Sequence, residues 1–244
     1  MLVTTSWDDG HVLDHELASV LADAGVAATF YVALENREIP APRRLTRAAV
    51  VELAERFEIG SHTTTHPVLT AVSPAEAWGE IRGSRLELSE LLGSHVTSFS
   101  YPRGRWSPGL RDAVRRAGYS YGRTVASGVT TFPVDPWAAG TTLEAARPPL
   151  WALPVAPARA VLREGVAPRR AFTWWARAMG LFDAVRASGG VFHLWGHSWV
   201  THARGEWSAL RDVLAYMHQF DDVKFVPNHR IVVDGPQSGV GTDA

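Results

Sequence analysis

The sequence predicts a single α/β domain in which parallel strands, joined by helices, curve into a barrel. Short apolar and β-branched runs alternate with helical patterns along most of the chain. At 244 residues and 46% hydrophobic, the chain can bury one large core. Residues suited to catalysis follow the predicted strand ends, which is the edge where a βα barrel gathers its functional groups.

The strand and helix patterns are assigned as follows. The predicted strands are 2–6, 27–32, 57–61, 96–100, 119–121, 190–195 and 223–226. The predicted helices are 16–24, 46–56, 74–92, 108–117, 172–187 and 206–220. We therefore expect about seven parallel strands.

Start and stop signals support these helices. Asp14 is expected to cap the first helix, and Gly25 to end it. Ser73-Pro74-Ala75-Glu76 is a capping box with proline at the first helical position. Ser107 precedes Pro108 in the same way, and Gly118 closes that helix.

The remaining segments are less regular. Residues 123–171 are rich in Pro, Ala, Gly and Arg, and we predict strands and loops around a short helix there. The catalytic domain is expected to span residues 1–234, and residues 235–244 are expected to form a disordered tail. The sequence contains no internal repeat.

Composition narrows the function. A net charge of −1 argues against nucleic-acid or membrane-surface binding and favours a small-molecule or oligosaccharide substrate. The chain contains no cysteine, so a metal must be bound by His, Asp or Glu. The first residues lack a signal-peptide pattern, and no apolar run reaches the length of a membrane span, so a soluble, cytoplasmic protein is expected. Oligomeric state is not predicted.

Two carboxylates and two histidines suggest a metal site. Asp8 and Asp9 end the first predicted strand, and His62 and His66 follow the third. The four-residue spacing places both imidazoles on one face of a helical turn, whereas Pro67 favours a loop. Either geometry allows two histidines and one carboxylate to bind zinc, with cobalt and nickel as alternatives. The other carboxylate is then free to act as a base.

Each half of this pattern also has a structural interpretation. Asp-Asp-Gly alone is typical of a solvated turn. Isolated histidines are common in cores and on surfaces. Their joint occurrence at strand ends favours the catalytic interpretation.

Four segments carry a family resemblance in the order of the chain. Ser6–Gly10, Ser61–Pro67, Phe99–Gly104 and Leu194–His197 resemble the successive motifs of the polysaccharide deacetylase family, carbohydrate esterase family 4. The resemblance implies a distorted (β/α) barrel. It also implies a metal-dependent hydrolase that removes acetyl groups from N-acetylated or O-acetylated sugars.

The resemblance assigns roles to the first two motifs. Asp8 corresponds to the base. Asp9 corresponds to a metal ligand beside His62 and His66.

The resemblance also implies a general acid in the late motif. His197, at the expected strand end, is our choice, and His193, in mid-strand, is the alternative. Asp135-Pro136-Trp137 faintly resembles a motif that supports the catalytic histidine, although we interpret it as a loop.

The third motif departs from the family pattern of Arg-x-Pro-Tyr-Gly. Ser100 stands where an arginine would orient the base, so Arg103, Arg105 or Arg123 is needed to replace it. Arg103 stands at the tyrosine position, whose backbone N–H stabilises the oxyanion, a role that survives substitution. The alternative for Arg103 is an exposed arginine in a turn.

The ten tryptophans suggest a sugar-binding surface. We predict substrate contacts at four aromatic residues: Tyr101, Trp106, Trp195 and Trp199. Trp7, Trp174 and Trp175 are expected in the core, and His11 and His202 at the edge of the site.

Other function classes remain open at this point. The same scaffold suits hydrolysis of a non-sugar amide. Two histidines and a carboxylate also occur in iron oxygenases, although the βα pattern argues against their fold. The serine at position 100 motivates a third class, a glycan-binding protein with a vestigial metal site.

Overall fold

The computed structural model describes residues 1–146 and 173–235. Eight strands of this part form one sheet: β1 Leu2–Asp8, β2 Ala28–Val32, β3 Glu58–Ser61, β4 Ser98–Ser100, β5 Tyr121–Arg123, β6 Leu143–Glu144, β7 Val191–Gly196 and β8 Lys224–Phe225. The spatial order is β5-β4-β3-β2-β1-β7-β6, and β8 pairs with the start of β1. Each pairing is parallel. The predicted α/β architecture is confirmed as a curled half-barrel.

Helices surround this sheet. They are α1 Asp14–Asp23, α2 Arg47–Ala54, α3 Pro74–Leu92, α4 Pro108–Arg116, α5 Trp174–Ser188, α6 Ser198–Ala203, α7 Trp207–His218 and α8 Arg230–Asp234. The Ser73 hydroxyl accepts the Glu76 N–H at 3.2 Å, and the Ser107 hydroxyl accepts the Leu110 N–H at 3.3 Å. These bonds confirm the predicted starts of α3 and α4. No helix of the described ranges combines the length and apolar character of a membrane span.

The structure corrects two local predictions. Asp14 does not cap α1, because the helix begins at Asp14 itself and Leu13 occupies the cap position without a side-chain bond. Burial of the Asp14 carboxyl raises its pKa well above the usual value. Strand β5 runs from Tyr121 to Arg123, about two residues later than predicted. This shift places Arg123 at the carboxyl end of the strand.

Part of the irregular segment is also visible. Residues 124–146 form loops and the short strand β6. Residues 147–172 of the predicted strand-and-helix segment, and 236–244 of the predicted tail, lie outside the described residues.

The two faces of the sheet differ in polarity. Val3 and Trp7 of β1 belong to the large apolar core, which includes side chains of the surrounding helices. The alternate residues of the same strand, Thr4, Ser6 and Asp8, are buried and polar. Side chains alternate between faces along a strand, so Leu2 lies on the same face as these three and belongs to a second, smaller apolar cluster. Towards the carboxyl ends of the strands, the interior of the half-barrel is polar. Its carboxyl-end rim carries the candidate site.

Candidate active site

The two carboxylates at the end of β1 lie on either side of a sharp change in backbone conformation. Asp8 is the last residue of the strand and is buried. Asp9 has a φ of 84° and Gly10 a φ of 69°, so the chain turns sharply there. A Cβ at Gly10 would lie 3.0 Å from Val32 Cγ1, so glycine also fits the available space. Both carboxylates reach the same imidazole nitrogen, since Asp8 Oδ2 and Asp9 Oδ1 each lie 3.8 Å from His62 Nε2.

The second motif forms a loop rather than a helical turn. Thr63 and His66 have φ values of 68° and 63°. The backbone N–H groups of Thr64 and Thr65 each donate to Glu80 Oε2 at 2.9 Å. Glu80, on α3, thus holds the loop that carries both histidines.

Asp9, His62 and His66 form a compact group of potential metal ligands. One ligand atom from each residue lies within 4.8 Å of the others. The Nε2 atoms of the two histidines are 3.2 Å apart, and Asp9 Oδ1 lies 3.4 Å from His66 Nε2 and 3.8 Å from His62 Nε2. Two imidazole nitrogens and one carboxylate oxygen converge as a divalent ion requires.

The surroundings of His62 favour the metal-binding tautomer. Its Nδ1 donates to the Ser100 carbonyl oxygen at 2.8 Å, which leaves the Nε2 lone pair free. Burial, partly offset by Asp8, lowers the pKa of His62 to about 4. A neutral imidazole is the form that binds a metal. The donor set therefore fits a divalent ion.

Arg123 holds Asp8 from a neighbouring strand. Its Nη2 donates to both carboxylate oxygens of Asp8 and, at 2.8 Å, to Ser100 Oγ. The guanidinium lies between two rings, 5.1 Å from the centroid of Tyr31 and 4.8 Å from that of Trp195. Of the three arginines considered as replacements, Arg123 is the one in contact with Asp8. Serine at position 100 leaves room for this side chain and accepts a hydrogen bond from it.

The charge of Asp8 follows from these contacts. Burial by itself would raise the pKa of the carboxyl, but the interaction with the Arg123 charge, together with smaller contributions from His62 and His197, outweighs burial and lowers the pKa below its ordinary value. Asp8 is therefore ionised at neutral pH. Its Oδ2 lies 3.8 Å from His62 Nε2, beside the ligand group.

The side chain of Arg103 faces away from Asp8. It is 59% exposed and pairs with Glu38 at 2.9 Å. Arg103 has a φ of 55°, in a short 3₁₀ turn after β4. The side chain thus agrees with the alternative prediction of an exposed arginine in a turn. The role of the Arg103 backbone N–H in stabilising the oxyanion stays a prediction.

The two candidate acid histidines have different environments. His197 follows β7, with Nε2 3.7 Å from Asp9 Oδ2 and Nδ1 4.0 Å from Glu144 Oε1. His193 is buried, with Nε2 2.8 Å from Ser6 Oγ. Burial, together with the nearby Arg123 charge, lowers its pKa to about 3. His197 is the histidine at the rim.

The segment that faintly resembled a supporting motif lies elsewhere. Asp135 pairs with Arg111 at 3.1 Å and accepts the Trp137 N–H at 2.9 Å. This is a loop, as interpreted from the sequence. Among the described residues, Glu144 of β6 is the carboxylate near His197 Nδ1.

The four aromatic residues predicted to bind substrate divide into two pairs. Tyr101 is 1% exposed and its hydroxyl donates to the Trp137 carbonyl, so its side chain is a core group rather than a substrate contact. Trp195 is 7% exposed and packs on Arg123. Trp106 and Trp199 are about two-fifths exposed, at 42% and 41%. Trp199 Nε1 also donates to Asp9 Oδ2 at 3.2 Å.

A cleft of about 600 Å³ opens beside Asp9. His11 and His202 line it, as predicted from the sequence, together with Trp199 and Glu38. Asp9, one of the three candidate metal ligands, thus borders a space large enough for a sugar-sized group.

Several contributors were not found from the sequence: Asn36, Glu38, Glu80 and Glu144. The amide of Asn36, for example, donates to the Asp9 carbonyl oxygen at 3.3 Å. These residues belong to loops, a helix and a short strand without a local motif. Only their positions in the fold bring them to the site.

Comparison with known proteins agrees with this geometry. Residues 2–122 match the family model described as polysaccharide deacetylase. The chain is 28% identical over 131 residues to the putative polysaccharide deacetylase YxkH of Bacillus subtilis, covering 53% of this chain. The match spans just under half, 46%, of the length of that relative.

Solved structures share the fold. A putative polysaccharide deacetylase from Mycobacterium smegmatis superposes with a TM-score of 0.68 at 16% identity, covering 94% of this chain and 88% of that one. A family 4 acetyl xylan esterase from Clostridium thermocellum, in complex with a cobalt ion, superposes with a TM-score of 0.57 at 17% identity, covering 96% and 91%. The match of residues 2–122 shows that the chain belongs to the polysaccharide deacetylase family, and the candidate site at the strand ends agrees with this.

Proposed function

We propose that this protein is a metal-dependent hydrolase that removes acetyl groups from N-acetylated or O-acetylated sugars. The observation that carries the proposal is the convergence of Asp9, His62 and His66 beside a buried, arginine-held Asp8. The family match supports the reaction class.

The metal is the first part of the proposal. Asp9, His62 and His66 would hold a divalent ion, and the bound ion would supply the Lewis acidity needed to polarise an acyl oxygen and acidify a water molecule. Zinc is the expected ion. Cobalt is an alternative, because a neighbour of the same fold is a cobalt complex, and nickel is another.

The protein side chains then divide the proton transfers. Ionised Asp8 accepts the proton of the attacking water, and Arg123 keeps the carboxylate in place. The backbone N–H of Arg103 donates to the developing oxyanion. His197 protonates the leaving amine or alkoxide, so that the C–N or C–O bond breaks with acetate as the second product.

Substrate contacts are proposed at the exposed aromatic side chains. Trp106 and Trp199 present flat apolar faces that suit the C–H surfaces of a sugar ring. The cleft beside Asp9 accommodates a small soluble saccharide or an oligosaccharide end.

Acetate release tests the proposal. The metal-free protein is loaded with one equivalent of Zn²⁺, Co²⁺ or Ni²⁺ and incubated with N-acetylated oligosaccharides, O-acetylated xylan and simple non-sugar acetamides. We expect acetate from a sugar substrate only after metal loading. Asp8→Asn should retain the metal and lose about 10²–10⁴-fold in kcat, the usual contribution of a general base.

Three kinds of result would contradict the proposal. Turnover that needs no metal, or that survives in Asp8→Asn, would remove the catalytic assignment. Turnover of acetamides without turnover of any sugar would replace the substrate class by the non-sugar amide considered from the sequence. Metal and saccharide binding without turnover would establish the vestigial, glycan-binding alternative.

A further inference from the structure

Glu38 lies beside the metal ligands without belonging to any of the sequence motifs. It follows β2, in the loop that leads to α2. Its Oε1 is 3.5 Å from His66 Nδ1, while the opposite nitrogen of that ring, Nε2, faces Asp9 Oδ1 at 3.4 Å. The imidazole of His66 therefore lies between the Glu38 carboxylate and the ligand group.

The two histidines of the site need the same tautomer. A histidine that binds a metal through Nε2 carries its proton on Nδ1, and a partner at Nδ1 fixes the ring orientation. For His62 that partner is the Ser100 carbonyl oxygen at 2.8 Å. His66 Nδ1 is buried and makes no direct hydrogen bond within the described part of the chain. The nearby Glu38 oxygen is the acceptor that can complete this second pair.

Arg103 restrains the position of Glu38. Its Nη2 lies 2.9 Å from both carboxylate oxygens, and its Nε donates to Oε1 at 3.3 Å. The Glu38 side chain is 43% exposed and would otherwise rotate freely into solvent. Arg103 stands where the family has tyrosine. Its charged guanidinium pairs with both oxygens of the Glu38 carboxylate, a contact that the neutral phenol of a tyrosine would not make.

We propose that Glu38 is a positioning residue of the metal site: its carboxylate accepts a hydrogen bond from the Nδ1–H of His66, and its ion pair with Arg103 holds it there. Glu38 thereby joins the loop after β2 to the His62–His66 loop and to the turn after β4. This inference rests on the proposed metal-dependent function.

Metal affinity tests the proposal without reference to turnover. Metal-free parent, Glu38→Ala and Glu38→Gln are titrated with Zn²⁺ in competition with a chromogenic chelator. Loss of an outer-shell partner typically weakens binding 10–100-fold, and we expect this range for Glu38→Ala. Glu38→Gln keeps an acceptor oxygen but loses the charge, so its loss should be smaller.

Two further variants sharpen the result. Glu35→Gln changes a neighbouring exposed carboxylate of the same loop that makes no ion pair with the described residues, and its zinc affinity should stay within twofold of the parent. Arg103→Met should weaken zinc binding less than Glu38→Ala, and should add little to that loss in the double variant Glu38→Ala/Arg103→Met.

Imidazole ¹⁵N shifts of the zinc-loaded protein report the Nδ1 proton of His66 directly, and Glu38→Gln should move them without unfolding the protein.

The outcomes separate this inference from the proposed function. A parent that binds zinc and releases acetate, with a Glu38→Ala variant of equal zinc affinity, overturns the role of Glu38 alone. A parent that binds no divalent ion overturns both. If Glu38→Ala does not fold, the affinity and ¹⁵N shifts of Glu38→Gln decide the question, and values equal to those of the parent contradict the proposal.

Discussion

The two ends of the half-barrel each hold a carboxylate among polar partners, and the partners differ. At the carboxyl ends of the strands, Asp8 is gripped by Arg123. At the amino ends, Glu58 accepts hydrogen bonds from the hydroxyl groups of Thr29 and Ser98. Its Oε1 also lies 3.1 Å from His229 Nδ1.

The two carboxylates differ in the partners that surround their oxygens. The partners of Glu58 come from β2, β4 and the segment after β8, so its oxygens tie these elements together. Asp8 is held through one guanidinium nitrogen, and its Oδ2 also lies 3.8 Å from His62 Nε2, beside the candidate metal ligands. A carboxylate surrounded by structural partners stabilises the fold, whereas one that lies beside a group of candidate metal ligands is available for chemistry.

The largest expected effect is at the site end. His62→Gln should abolish stoichiometric metal binding and lower kcat/KM by about 10³-fold or more, because several kcal/mol of transition-state stabilisation depend on the ion. Elemental analysis and acetate release measure both. The thermal midpoint of the metal-free protein should change little, and a variant that stays active with bound metal would contradict the ligand assignment.

Arg123 should be the exception at the site end, because it serves both function and stability. Arg123→Gln leaves the buried Asp8 charge without its partner, and we expect a loss of about 3–5 kcal/mol in the free energy of unfolding. We also expect a fall in kcat of about 10²-fold from misplacement of the base. Urea unfolding and steady-state kinetics test this.

A relocation variant provides the control for Arg123. Ser100 and Arg123 are paired across β4 and β5. The double variant Ser100→Arg/Arg123→Ser restores the family arrangement, so it should recover part of the activity that Arg123→Ser loses. If the double variant is no more active than Arg123→Ser, the arginine can hold Asp8 only from β5.

At the opposite end, Glu58→Ala should affect stability and spare catalysis. Removal of the carboxylate leaves the Thr29 and Ser98 hydroxyls without their acceptor, at a cost of about 1–3 kcal/mol. For a domain of this size the melting temperature should fall by about 2–4 °C per kcal/mol. Equal kcat/KM per folded molecule is expected, and a large fall in kcat/KM would break the contrast between the two ends.

The smallest expected effect is the pH dependence of the His229 contact. The nearby Glu58 carboxylate raises the pKa of His229 above its ordinary value, against the opposing influence of burial. The contribution to stability is therefore fully present below about pH 6.5 and is lost as the pH rises through the folded-state pKa. Since the side chain is 35% exposed, screening should hold the effect below about 1 kcal/mol.

Comparison with His229→Gln isolates that contribution. The stability difference between parent and variant, measured by urea unfolding from pH 5 to pH 8.5, should shrink as the pH rises. A difference that grows with pH would contradict the assignment. Because the contact lies at the amino ends of the strands, kcat/KM should be equal in the two proteins at each pH.

Most strands and helices were predictable because their signals are local. The run 2–6 and the Ser73 box each specify an element through neighbouring residues, and β1 and α3 were confirmed. Asp14 failed as a cap because packing against the fold buries it within α1. Here tertiary burial overrides the intrinsic preference of aspartate for the N-cap position.

The sequence by itself determined the candidate ligands as His62, His66 and one of two adjacent carboxylates, and the family resemblance assigned Asp9 as that ligand. These residues lie at strand ends within two short motifs, and parallel strands bring such ends to one rim. The tertiary structure decided what surrounds them. Arg123 reaches Asp8 across 115 residues because β5 extends two residues beyond its predicted end and pairs with β4.

Glu38 and Glu144 likewise approach His66 and His197 only through the placement of loops and strands in the fold. A local pattern specifies which atoms can bind an ion. Strand order, register and burial specify which distant charges meet those atoms, and no spacing along the chain contains that information.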